Sequence, residues 1–108
     1  MSVLKIGYKG KTYELGFTRN TVVAMERQGF DINEIGSKPM TMLPLFWQGA
    51  FAAYNKGIKR TLIDEIYENL RDKQGLIEAL TELYAETLNT LTDEPEEDKG
   101  NATWEIVR

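Results

Sequence analysis

Between residues 41 and 54 the chain is apolar on nearly every side of a helix, and that stretch limits what the rest can fold into. Leu43, Phe46, Trp47, Ala50, Phe51 and Tyr54 fall on one helical face. Leu45, Gly49, Ala52 and Ala53 fall on a second, where small side chains let a neighbour approach closely. A helix of this kind must be surrounded, so it is predicted to be the centre of the core. Proline is tolerated in the first turn of a helix but not in its interior, so Pro44 places the predicted start near Thr41 or Met42. The aromatic stripe reads as core and not as a ligand box.

The flanking segments supply the cover. Leu4, Ile6 and Tyr8 alternate with polar residues, as do Tyr13, Leu15 and Phe17, which predicts a β-hairpin. With Lys9 and Gly10 as the loop, Leu4 faces Leu15, Ile6 faces Tyr13 and Lys5 faces Glu14. Lysine at a turn position that needs positive φ is unusual, which leaves a longer loop or a bulge as the alternative. Thr18 suits an N-cap for a helix of about ten residues carrying Val22, Val23 and Met25, stopped at Gly29 and Phe30. Asp31 with Glu34 predicts a capping box for a single turn closed by Gly36. Leu62, Ile63, Ile66, Tyr67 and Leu70 then follow helical spacing with Asp64, Glu65 and Glu68 outward. Asp72 caps a last helix with an apolar stripe from Leu76 to Leu91. The predicted architecture is α+β: an N-terminal hairpin followed by a bundle of about four helices in residues 1–92, and a flexible acidic C-terminal tail in residues 93–108.

At 108 residues the chain has room for one core, since a domain of this size buries roughly two-thirds of the surface that its unfolded chain exposes. It contains no cysteine and no histidine, so a disulfide framework, a thiolate metal site and the commonest catalytic acid/base are all excluded. We therefore expect no enzymatic activity, no metal and no cofactor. Asp93, Glu94, Glu96, Glu97 and Asp98 against Lys99 account for the whole net charge of −4, and residues 1–92 are balanced. A neutral body with an acidic tail gives no reason to bind nucleic acid, where clustered Lys and Arg supply most of the affinity. Lys56, Lys59 and Arg60 lack the glycine-rich spacing of a phosphate loop and are expected to pair with acidic neighbours. No run of about 18 apolar residues and no signal-like N-terminus is present, so no membrane contact is expected and the protein is expected to stay where it is made.

Two features suggest binding to other proteins. Met40 and Met42, beside Pro39 and Pro44, form a candidate adaptable docking patch, although both side chains also suit gap-filling in the core. Trp104, Ile106 and Val107 end the chain after a polar spacer, a placement that suggests docking on this protein or another, with the edge of the hairpin as the nearest acceptor. Asp64, Glu65 and Glu68 could be imagined as paired carboxylates, but their place opposite an apolar stripe reads as a solvated helix face.

Several stretches together carry a resemblance: Tyr-Glu-Leu-Gly-Phe-Thr-Arg from Tyr13, Gln-Gly-Phe-Asp-Ile-Asn from Gln28 and Lys-Pro-Met-Thr-Met-Leu-Pro from Lys38. Gly-Ala-Phe from Gly49, Ile-Asp-Glu-Ile-Tyr from Ile63 and Gly-Asn-Ala-Thr-Trp-Glu from Gly100 complete it. The chain resembles, over essentially its whole length, a family of small proteins encoded in the tail gene clusters of long-tailed phages and prophages of Gram-positive bacteria. Those proteins are similar to tail assembly chaperones. The resemblance implies binding to the tape-measure protein and other tail proteins, and self-association in multiple copies. A structural tail-completion or adaptor protein of the virion, or a prophage regulatory protein, is the alternative reading. The resemblance assigns no binding residues.

Overall fold

The computed structural model describes residues 3–91 and 105–107, and its element order is hairpin first, helices after. Strands β1 (Leu4–Tyr8) and β2 (Lys11–Leu15) form a two-stranded antiparallel sheet. The predicted register holds, with Leu4 opposite Leu15, Lys5 opposite Glu14 and Ile6 opposite Tyr13. The tight two-residue turn also holds, in place of the longer loop, with Lys9 at φ 48° and Gly10 at φ 80°. Both residues are left-handed, as the turn that matches strand twist requires. What compensates the strain at Lys9 is contact: its ammonium sits 3.5 Å from Glu65 Oε2 and 5.4 Å from the centre of the Tyr8 ring.

Helix α1 (Arg19–Arg27) starts where Thr18 Oγ1 accepts from the Thr21 amide at 3.1 Å. It stops in a Schellman motif, with the Gly29 amide on the Glu26 carbonyl and the Phe30 amide on the Met25 carbonyl, both at 3.0 Å. Gly29 makes this possible with φ 97°. A 3₁₀ turn (Ile32–Glu34) follows. The predicted capping box is only half realised there. Asp31 accepts from the Asn33 amide, but Glu34 turns to Lys38 at 3.8 Å and the Asp31 amide points at Met42 Sδ.

Helix α2 (Pro39–Ala52) begins two to three residues earlier than predicted and carries Pro44 in its interior. Pro39 sits at the first helical position, where its missing N–H costs nothing, and it sets the start in place of Pro44. Pro44 then leaves the carbonyl of Met40, itself an exposed residue, without its helical donor. Helices α3 (Arg60–Glu68) and α4 (Lys73–Asn89) complete the bundle, the latter capped by Asp72 Oδ1 on the Gly75 amide at 2.9 Å. The fold is thus α+β.

The core forms around α2 as expected: Phe46, Ala50 and Phe51 are wholly buried. Phe46 stacks between Phe17 and Phe30, with centroids 5.3 and 5.4 Å away, and Tyr84 of α4 meets all three edge-on. The small face of α2 meets α1, where the Met25 side chain fills the space that a side chain at Gly49 would need. On the opposite flank β2 is tied to α2, with the Gly16 amide on the Ala50 carbonyl at 3.2 Å and Asn55 Nδ2 on the Glu14 carbonyl at 2.8 Å.

Candidate functional site

The open surfaces of the domain follow from what the hairpin and α4 leave uncovered. A two-residue turn makes Tyr8 and Lys11 a hydrogen-bonded pair, and antiparallel alternation does the same for Ile6 with Tyr13 and Leu4 with Leu15. The backbone groups of Lys5 and Gly7 therefore point away from β2. On β2 the outward groups of Thr12 are unpaired among the described residues, but the Glu14 carbonyl accepts from Asn55 and the amide of Gly16, just past the strand, donates to the Ala50 carbonyl. On β1, no hydrogen bond reaches the Lys5 or Gly7 backbone among the described residues. Alongside this bare edge runs an open groove of about 580 Å³, with Leu70, Leu76 and Ala79 as its apolar side and Asn69, Arg71 and Asp72 as its polar one.

A second groove, of about 420 Å³, lies between the end of α1, the 3₁₀ turn and α4. Phe30, Ile32, Tyr84 and Leu88 supply apolar surface; Glu26 and Asp31 make the rim acidic. Burial first, then the charges of Glu26 and Asp31, push the Tyr84 hydroxyl above its usual pKa. Leu88 is half-exposed, and Leu91, one helical turn on, is 67% exposed.

The residues singled out from sequence divide. Met40 is 89% exposed at the start of α2, whereas Met42 is 5% exposed and lies in the core. Two positions apart on a helix, the two side chains cannot share a face, and Met42 therefore drops out of the docking patch. Ile106 and Val107 are exposed and belong to no strand, while Trp104 lies outside the described residues, as does the acidic stretch 93–101. Lys56, Lys59 and Arg60 are exposed and form no ion pair among the described residues, against the pairing expected of them.

The carboxylates of α3 are not a simple solvated face. Asp64 Oδ1 accepts from Trp47 Nε1 and from Gln48 Nε2, both at 3.1 Å, and so bridges α3 to α2. The Trp47 ring lies over Tyr67 with centroids 3.7 Å apart and planes 9° from parallel. Glu65 accepts from the Tyr8 hydroxyl at 2.7 Å and pairs with Lys9. The hydrogen bond from Tyr8, helped by the Lys9 charge, holds the Glu65 carboxyl below its usual pKa. Helical periodicity placed both acids on the polar side but could not show the partners that reach them from α2 and the hairpin. Among the described residues, no group of three or more acidic side chains is placed to hold a metal ion, and no helix is long and apolar enough to cross a membrane.

These features define a small α+β domain whose accessible surfaces include a bare strand edge and two open grooves of apolar floor and charged rim. The chain belongs to the family described as a domain of unknown function (DUF5055), which matches residues 1–107. No curated protein and no solved structure matches it.

Proposed function

We propose that this protein is a non-enzymatic tail assembly chaperone of a long-tailed phage or prophage, acting in the host cytoplasm on the tape-measure protein during tail morphogenesis. The resemblance carried by the motifs from Tyr13 to Glu105 motivates the reading. The observation that supports it best is the groove of Phe30, Ile32, Tyr84 and Leu88, with the exposed Leu91 in the turn just after α4. An amphipathic helix lays its apolar stripe into such a groove, and the task of masking helical surface needs no nucleophile. The acidic rim of Glu26 and Asp31 favours a partner helix with basic residues beside its stripe.

Co-expression with a tape-measure fragment tests this. The complex should form, should persist from low to high ionic strength because apolar burial dominates it, and should weaken in Leu88→Glu and Leu91→Glu variants that keep their fold. If no complex forms at any salt while an RNA or DNA complex does, the reading is wrong.

A further inference from the structure

The bare edge of β1 restricts what can occupy it. Lys5 and Gly7 offer a row of backbone donors and acceptors to a further strand, and the adjoining groove offers Leu70, Leu76 and Ala79 to every second side chain of that strand. The side chain of Lys5 stands on the opposite, solvent-facing side, beside Glu14. An occupant that fits is a short run of β-branched and aromatic residues with apolar side chains at alternate positions and an acid between them.

Residues 103–107 of this chain, Thr-Trp-Glu-Ile-Val, have that pattern. Trp104 and Ile106 share one face, which suits the floor, and Glu105 then falls beside Lys5, so that Glu14, Lys5 and Glu105 alternate in charge across three strands. The hairpin carries Lys5, Lys9 and Lys11 against Glu14, and the segment that leads to residue 103 carries the acids from Asp93 to Asp98. Among the described residues, Ile106 and Val107 are 66% and 85% exposed and form no strand, and nothing pairs with the β1 edge. The segment 92–104 can span about 45 Å when extended, enough to reach another copy. We infer that residues 103–107 of a second copy add to β1 as a third strand, so that the protein self-associates by exchanging C-terminal arms. The inference rests on the β1 edge and is independent of the partner proposed above.

Two variants of the full chain, with mass in solution and amide exchange as readouts, test the exchange. The unaltered chain at high-micromolar concentration should be a dimer or larger, with the Lys5 and Gly7 amides protected. Deletion of residues 100–108 should give a monomer in which both amides exchange at least about tenfold faster, as expected of an uncovered edge. Gly7→Pro removes one outward donor without touching the bonds to β2, and a Cβ at Gly7 meets nothing within 4 Å, so this variant should keep its hairpin, which its amide exchange at Ile6 and Tyr8 checks, and also be monomeric. A monomeric unaltered chain overturns the inference: with Lys5 and Gly7 protected, the arm fills its own edge, and without protection the arm does not bind. An oligomer that survives both changes overturns it as well.

Discussion

The indole Nε1–H of Trp47 donates to the carboxylate of Asp64 across 3.1 Å, and this bond, shared with Gln48, fixes how α3 lies against the central helix. Both donors converge on one oxygen, Oδ1, so the site requires an acceptor more than a negative charge. Asp64→Ala leaves a half-buried indole N–H without a partner and should cost about 1–3 kcal/mol. Asp64→Asn retains a carbonyl oxygen in the same place and should recover much of that, less the extra strength of a charged acceptor. Urea unfolding of the two variants provides the comparison; equal losses would show that charge and not geometry holds the contact.

Phe51 is wholly buried beside Tyr13, with ring centroids 6.3 Å apart, where β2 crosses α2. Phe51→Ala should cost about 3–5 kcal/mol, the range for deleting a buried aromatic side chain. A loss below about 1 kcal/mol, small for any core truncation, would contradict its place at the centre.

The hairpin register, the Thr18 cap, the Gly29 stop and the central position of Phe46, Ala50 and Phe51 were legible in the sequence, because each depends on neighbours a few residues apart; Tyr54, placed on the same face, lies past the end of α2 and is exposed. The start of α2 was misplaced because two prolines competed and the rule applied to Pro44 ignored Pro39, which fits the first helical position. Met40 and Met42 were left undivided, and Asp64 was misread, for a different reason. A helix of all-round apolarity gives no sign of which face meets solvent, so Met40 and Met42 looked alike. Asp64 lies on the polar side of its own helix and is nonetheless reached by Trp47 and Gln48, seventeen and sixteen positions away, contacts that only tertiary packing creates. The two open surfaces were legible in part: alternation in the hairpin implied a free edge, but not that β2 would be tied to α2 and β1 left bare.

Thr87 is the buried polar residue of α4, 3% exposed, and its hydroxyl lies 3.0 Å from the Phe17 carbonyl and 3.1 Å from that of Leu83. It joins the last helix to the junction between β2 and α1, which Arg19 also grips through the Thr90 carbonyl at 2.7 Å. Thr87→Val keeps the shape but removes the hydroxyl, leaving the Phe17 carbonyl without this donor, and should cost about 1–3 kcal/mol. Thr87→Ser keeps the hydroxyl and should cost less. If Val and Ser are equally tolerated, the hydroxyl does not secure the junction.

The contact between the hairpin tip and α3 should make stability depend on pH at both extremes and not between them. Glu65 has its pKa lowered, by the Tyr8 hydrogen bond first and the Lys9 charge second. A lowered carboxylate stabilises the fold above its unfolded value, and that contribution is lost as pH falls through the folded one. Tyr8 has its pKa raised, chiefly because ionisation would break its bond to Glu65, and Lys9 has its raised chiefly by the Glu65 charge. Groups shifted upward stabilise the fold below their unfolded values, and their contribution is lost as pH rises through the folded ones. Asn69 also faces the cluster, with its amide 3.5 Å from the Tyr8 hydroxyl, but does not titrate. Lys9 and Glu65 are exposed and Tyr8 is half-buried at the surface, so the effect should be small and should shrink in salt. The advantage of the unaltered protein over Glu65→Gln, measured as the urea midpoint, should therefore be flat around neutrality. It should narrow in acid, below the ordinary carboxylate range, and again in alkali, above the ordinary tyrosine and lysine values. An advantage constant through the acid limb would mean that Glu65 is not held by Tyr8 and Lys9 in solution.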